Sequence, residues 1–281
     1  MRLQGHRTVI TGAASGIGEG TARLFASEGA TVVLADIDDD RGKTIAAELG
    51  DAARYVHVDV SVEGEIERAI EMSLAEFGGL DSVFNNAGIG GSLGMVEDMD
   101  VAVFDRVVSV LLRGVFLGIR AAARVMRPAG RGSIINTASA AGVLANYGGH
   151  DYGAGKAAVI QLTRTTANEL GEHGVRVNAV APGAIATAIF GRAAGLTGAE
   201  AQDSVALAGA AIANAAPIQR AGRPTDVAEA VLWLASDASA YVNGITLPVD
   251  GGLVTGPLRR DRQPKREALA AALRAAAHPA D

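Results

Sequence analysis

Seven short runs of β-branched and aliphatic residues recur along the chain, and longer amphipathic stretches separate most of them. The runs are RTVIT (7–11), ATVVLAD (30–36), RYVHVD (54–59), DSVFNN (81–86), SIINTAS (133–139), VRVNAVAP (175–182) and ITLPVD (245–250). Helix-like segments occupy 16–28, 40–49, 62–77, 100–127, 152–171 and 225–236. Two neighbouring strands joined through a helix run parallel, and their crossover is right-handed. The rhythm therefore predicts an α/β chain forming one doubly wound (Rossmann-type) parallel sheet of about seven strands, with helices on both faces. A chain of 281 residues that is 49% hydrophobic can fill such a core. No repeat or break in composition marks a second unit within 1–256, read as the dinucleotide-binding and catalytic domain, and 257–281 reads as a basic, Ala-rich extension.

Sheets of this kind bind ligands beyond the carboxyl ends of their strands, where the strand order reverses. Residues 12–18, 36, 59–60, 86–90, 139 and 182–187 all directly follow strands, so they are expected to line one crevice. The first of these loops, TGAASGIG at 11–18, joins a strand to a helix. Its glycines allow a tight turn and close backbone approach, while the helix offers N-terminal amides to a diphosphate. Gly12, Ser15, Gly16, Ile17 and Gly18 are thus candidate cofactor-binding residues. Asp36 ends the second strand, where a carboxylate accepts hydrogen bonds from an adenosine ribose. It also repels a 2′-phosphate, and neither Ser15 nor Ile37 supplies a compensating cation, so the expected cofactor is NAD and not NADP. A neighbouring Asp in DIDDD is free to cap the next helix.

A second pattern lies at YGAGK, 152–156. Residues four apart on a helix share a face, which puts Tyr152 and Lys156 side by side. A tyrosine hydroxyl is a poor base at neutral pH, and a nearby ammonium lowers its pKa. Tyr152 then serves as general acid/base for a secondary alcohol or ketone. Ser139, at the end of the fifth strand, offers a hydroxyl to the substrate oxygen. Gly153 and Gly155 weaken this helix, and their lack of side chains is read as room for a cofactor lying against it.

Together these motifs resemble the short-chain dehydrogenase/reductase family over residues 3–256, through TGAASGIG, Asp59-Val60, NNAG (85–88), Ser139, YGAGK, RVNAVAPGAIAT (176–187) and DGG (250–252). The wording is nearest to the NAD-dependent branch that oxidises cyclic secondary alcohols. The resemblance implies that Asp59 and Val60 contact adenine, that Asn86 and Gly88 line the nucleotide channel, and that Ile185 and Thr187 hold the nicotinamide carboxamide. Lys156 additionally binds the nicotinamide ribose. It also implies a homotetramer, for which the surplus of apolar residues on 100–127 and 152–171 is a natural use. One position departs: where the family carries an asparagine that holds a water of the proton relay, VLLRGVF has Leu111. Enoyl reductases of this fold separate the Tyr and Lys by more than three residues, so reduction of carbon–carbon double bonds is not expected.

Residues 188–216 interrupt the rhythm and carry only Arg192, Glu200 and Asp203 as charges, a composition suited to a mobile lid over an apolar substrate. Asn146 and His150 precede Tyr152 and are candidate contacts for substrate polar groups, whereas His57, within a strand, reads as structural. There is no cysteine, which excludes disulfides and thiolate chemistry, and the five histidines lack metal-ligand spacing. The net charge is −6, and residues 253–281 hold six basic against three acidic residues, so the body carries the acidic excess. An acidic body disfavours nucleic acid, and no apolar run has the length of a membrane helix. The expectation is a cytoplasmic oxidoreductase with a small-molecule substrate. The competing readings are an NADPH-dependent 3-oxoacyl thioester reductase and a catalytically impaired dinucleotide-binding sensor.

Overall fold

A computed structural model describes residues 1–92, 94–145 and 147–277, except for the side chains of 275 and 276. Seven strands form one parallel sheet: β1 (Arg7–Thr11), β2 (Thr31–Asp36), β3 (Ala53–His57), β4 (Ser82–Asn85), β5 (Gly132–Thr137), β6 (Val175–Pro182) and β7 (Thr246–Val249). Their spatial order is β3-β2-β1-β4-β5-β6-β7, as the alternation of runs and amphipathic segments implies. The chain winds outward from β1 to β3, then returns to the other side of β1 and winds outward again. The switch point therefore lies between β1 and β4, whose register pairs Val9 with Val83 and Ile10 with Phe84.

Burial on both faces explains why the central strands are almost wholly aliphatic. Along β1, Val9 enters one core layer and Ile10 the other, and in β2 Val33 and Leu34 divide in the same way. The Ile10 layer is covered by α1 (Gly16–Ser27), α2 (Asp39–Leu49) and α10 (Pro224–Ala235), through residues such as Phe25, Ile45 and Leu232. The Val9 layer is covered by α3 (Glu63–Phe77), α5 (Gly114–Ala129) and α6 (His150–Gly171), through Ile66, Ile119 and Val159. β7, only half-buried, carries Pro248 at the sheet edge, where a missing N–H breaks no ladder.

Three departures from the pattern bear on the site. The amphipathic segment at 100–127 is not one helix: α4 (Val101–Val108) passes through a π-helical stretch, Ser109–Arg113, into α5. Leu111, in the middle of that stretch, is fully buried. The lid region forms three short helices, α7 (Ile189–Ala193), α8 (Gly198–Asp203) and α9 (Val205–Ile212). The basic extension forms α11 (Arg259–Ala277), and Arg260 donates to the Gln219 side chain and the Asn214 carbonyl, both at 2.9 Å. Among the described residues no helix is long and apolar enough to cross a membrane.

Candidate functional site

The loop after β1 and the loop after β4 are locked to each other. The Asn86 amide nitrogen donates to the carbonyls of Thr11 at 3.0 Å and Gly12 at 3.2 Å, and the Thr11 hydroxyl accepts from the backbone N–H groups of Asn86 and Ala87. Asn86 thus lines the crevice while its amide nitrogen serves the scaffold. Gly12 has φ +65° and Gly16 φ +54°, conformations open to glycine, and a methyl group on Gly18 would overlap the Gly12 carbonyl. No side chain fits in this cradle, so backbone amides at the start of α1 face an incoming anion directly, as a diphosphate requires. Ile17 packs against the Ile10 layer.

Asp36 sits where β2 ends, its carboxylate accepting from the N–H of Ala14 at 2.8 Å and of Asp38 at 3.0 Å. Asp38, not Asp36, caps α2 by accepting from Arg41 N. Ile37 beside it is 61% exposed and apolar, so no cation stands next to the Asp36 carboxylate at this position. Asp59 follows β3, and hydrogen bonds from Ser61 hold its carboxyl below its ordinary pKa. Val60 is buried against Gly114 at the start of α5, and Gly88 lies exposed in the loop after β4. Ile185 is a core residue packed on and bridged to Gly222, and the Thr187 methyl lies 3.2 Å from where a Cβ on Gly16 would stand. These residues all lie at the carboxyl ends of strands, and those after β1 are hydrogen-bonded to Asp36 at the end of β2 and to Asn86 after β4.

Ser139 follows β5 in extended backbone and begins a turn in which its hydroxyl accepts from Ala141 N at 3.1 Å. Tyr152 and Lys156 occupy the first two turns of α6. Lys156 is 2% exposed, and its Nζ donates to the Thr137 carbonyl at 2.6 Å while lying 5.8 Å from the centre of the Tyr152 ring. Burial pushes its pKa down to about 8. Burial raises the Tyr152 phenol, and the nearby Ser139 hydroxyl partly offsets this. The expectation that Lys156 lowers the phenol's pKa is therefore corrected: the ammonium is itself destabilised by burial and directs its hydrogen bond to Thr137. The serine hydroxyl favours the phenolate instead.

The reading of Gly153 and Gly155 also changes. A Cβ on Gly155 would point at Leu111, 3.5 Å from its Cβ, and one on Gly153 would stand 3.4 Å from the Ala141 carbonyl. Both are ordinary contacts with protein, so cofactor room does not account for either glycine. Leu111 fills the space between Gly155 and Gly88, with its Cδ2 3.2 Å from a Cβ position on Gly88 that the Lys156 Nζ approaches to 3.9 Å. Leu111 and the Lys156 amine thus both border Gly88.

Asp151 was not singled out in the sequence. It is fully buried, and its carboxylate accepts from the Ser92 N–H at 3.0 Å, the Ser92 hydroxyl at 2.8 Å and the Tyr152 N–H at 2.7 Å. It pins the loop after β4 onto the start of α6, beside Tyr152. An acid between two small-residue stretches was the only signal, and it resembles a solvated charge. His150 begins α6 exposed, and His57 ends β3 exposed with Nδ1 2.8 Å from Asp39 Oδ1. Asn146 lies outside the described residues.

Comparisons with known proteins agree with this geometry. A family model described as enoyl-(acyl carrier protein) reductase matches residues 12–254. Momilactone A synthase of rice is 46% identical over 256 residues, covering 90% of this chain and 91% of that protein. A 3-alpha-(or 20-beta)-hydroxysteroid dehydrogenase of Mycobacterium bovis is 42% identical over 260 residues, covering 92% of this chain and 94% of that one. Among solved structures, levodione reductase superposes with a TM-score of 0.83 at 34% identity, covering 91% of this chain and all of that one.

Proposed function

The chain belongs to the short-chain dehydrogenase/reductase family, and from that premise we propose that it transfers a hydride between NAD(H) and a secondary alcohol or ketone, apolar or alicyclic, with Tyr152 as general acid/base. The observation that carries this reading is that Ser139 follows β5 while the start of α6 brings Tyr152 and the buried Lys156 to the same strand end, where Lys156 Nζ donates to the Thr137 carbonyl. The Ser139 hydroxyl holds the substrate oxygen by a neutral hydrogen bond. The Tyr152 phenol, one bond away, takes the proton from an alcohol or returns it to a ketone, and Ser139 limits the cost of the phenolate. Lys156, poised near 8, gives or accepts the proton that Tyr152 exchanges and donates to the nicotinamide ribose. The dinucleotide, when bound, supplies the hydride acceptor and a positively charged ring.

In this reading Gly12, Ser15, Gly16, Ile17 and Gly18 cradle the diphosphate and Asp36 binds the adenosine ribose. Asp59 and Val60 flank adenine, Asn86 and Gly88 line the channel, and Ile185 and Thr187 reach the carboxamide through backbone and hydroxyl. The Asp36 carboxylate beside an apolar Ile37 supports NAD over NADP. The small, nearly uncharged lid at 188–216 and the hydroxysteroid dehydrogenase named among the relatives support an alicyclic substrate. Reduction of a carbon–carbon double bond, which the matching family description names, fits the four-position Tyr152–Lys156 spacing poorly. Exposed Val101, Val103, Phe104 and Phe116 on α4 and α5 support a homotetramer, with 1–256 as the working unit and 257–281 as an appendage. The acidic body supports an enzyme without nucleic-acid partners, and the cysteine-free composition fits a cytoplasmic one.

The test follows reduced-nicotinamide absorbance with NAD or NADP and a panel of cyclic and aliphatic secondary alcohols. NAD-dependent oxidation of cyclic members is expected. Turnover with NADP alone would overturn the Asp36 argument and favour a 3-oxoacyl thioester reductase. Tight NAD binding without turnover would favour a sensor, the reading that Leu111 supports.

A further inference from the structure

We propose that Arg192, on the lid, is a phosphate ligand of the bound dinucleotide and couples seating of the lid to cofactor binding. This rests on the dinucleotide reading above. Helix α7 packs against the loops after β1 and β4. At its start the Thr187 methyl approaches Gly16, and at its end the Ala193 Cβ stands 3.0 Å from where a Cβ on Gly90 would be. Between these two points Arg192 reaches the loop after β1, with Nη1 3.4 Å from Ser15 Oγ, 177 positions away in the chain. Ser15 is the N-cap of α1, yet its hydroxyl makes no capping bond.

The electrostatics favour an anion shared between Arg192 and the start of α1. The start of a helix carries a partial positive charge from unpaired N–H groups, so the exposed Arg192 guanidinium beside it gains from an anion shared by the two. Among the described residues Arg192 has no carboxylate within ion-pair distance. Glu19, in the first turn of α1, is already paired with Arg23 at 2.9 Å and Arg41 at 2.8 Å. Arg192 is also the one basic residue in 188–216, an otherwise small and apolar segment. A diphosphate held on the α1 amides satisfies both charges at once, and a planar guanidinium donates two hydrogen bonds to its oxygens. Lid and cofactor then stabilise each other's bound state.

The experiment is calorimetric titration of the parent, Arg192→Gln and Arg192→Lys with NAD, ADP-ribose, NADP and adenosine 5′-monophosphate, with thermal melts as a control on folding. Arg192→Gln is expected to weaken NAD and ADP-ribose alike by about ten-fold or more, the loss of the guanidinium's charge-assisted hydrogen bonds, with little change for the monophosphate. Arg192→Lys retains part of the affinity. Equal affinities in the parent and Arg192→Gln would overturn the proposal while leaving the dinucleotide reading intact. A loss confined to NADP would overturn it too, assigning Arg192 to a 2′-phosphate. A parent that binds neither NAD nor ADP-ribose would overturn both.

Discussion

Replacing Lys156 by Met turns the buried amine into a quantity that can be measured. In the folded chain burial holds this group at about 8, against an ordinary value of 10.5, and its Nζ donates to the Thr137 carbonyl. Below the folded value both folded and unfolded chains carry the ammonium, and the folded chain bears the full cost of burying it. As pH rises through 8 the folded chain releases the proton while the unfolded chain keeps it, so the unfolded state binds more protons and stability climbs. The gain is complete above 10.5 and is lost again as pH falls through 8. The gap between the two values corresponds to about 3 kcal/mol, most of it realised between about pH 7 and pH 10. Met lacks the titrating group but leaves the Thr137 carbonyl without a donor, at a cost of about 1–3 kcal/mol that does not vary with pH. Near neutrality the two effects nearly cancel, and parent and variant should have similar stability. By about pH 10 the parent should be ahead by roughly 2–3 kcal/mol. Urea unfolding of both proteins across this range gives the difference directly, and other titrating groups cancel in it. Tyr152, whose pKa burial raises, is present in both proteins and drops out of the difference with the other groups. A difference that stays flat with pH would refute the claim that Lys156 is held, strained, in a low-dielectric pocket.

Leu111→Asn places a polar neighbour beside the same amine, so the alkaline gain in stability should shrink, while burying the amide costs about 1–3 kcal/mol; an unchanged pH dependence would separate Leu111 from the amine. Gly155→Ala should stabilise the protein by about 0.5–1 kcal/mol in thermal or urea melts with NAD affinity unchanged, since the new methyl meets only Leu111. A large loss of NAD affinity would restore the view that the glycine makes room for cofactor. Asp151→Ala should destabilise by about 2–3 kcal/mol and raise KM more than it lowers kcat, because it frees the Ser92 loop from α6. Asp151→Asn, which keeps an acceptor, should recover much of both, and a loss in kcat alone would contradict a positioning role.

The sheet and both ends of the crevice were legible because each rests on local rules. Period-two burial divides Val9 from Ile10, the glycines at 12 and 18 stand where no side chain fits, and Gly16 holds a positive φ. Strand ends moved by a residue or two: Asp59, for example, follows β3 instead of closing it. What could not be read depends on contacts between distant segments. A π-helical stretch at 109–113 has the same apolar texture as a regular helix, so the break between α4 and α5 carries no pattern of its own. The direction in which Gly155 points is set by Leu111 packing from another element. The pKa of Tyr152 depends on how deeply the phenol and Lys156 are buried, which spacing on a helix does not reveal. Asp151 looked like a surface charge until Ser92 was brought onto it.

The central claim is that the Tyr152 phenol moves the substrate proton. Tyr152→Phe keeps the ring and removes the hydroxyl. It should lower kcat for a cyclic secondary alcohol by about 100-fold or more, with NAD affinity by calorimetry close to that of the parent. Turnover close to the parent's, measured with the same alcohol and cofactor, would contradict the account.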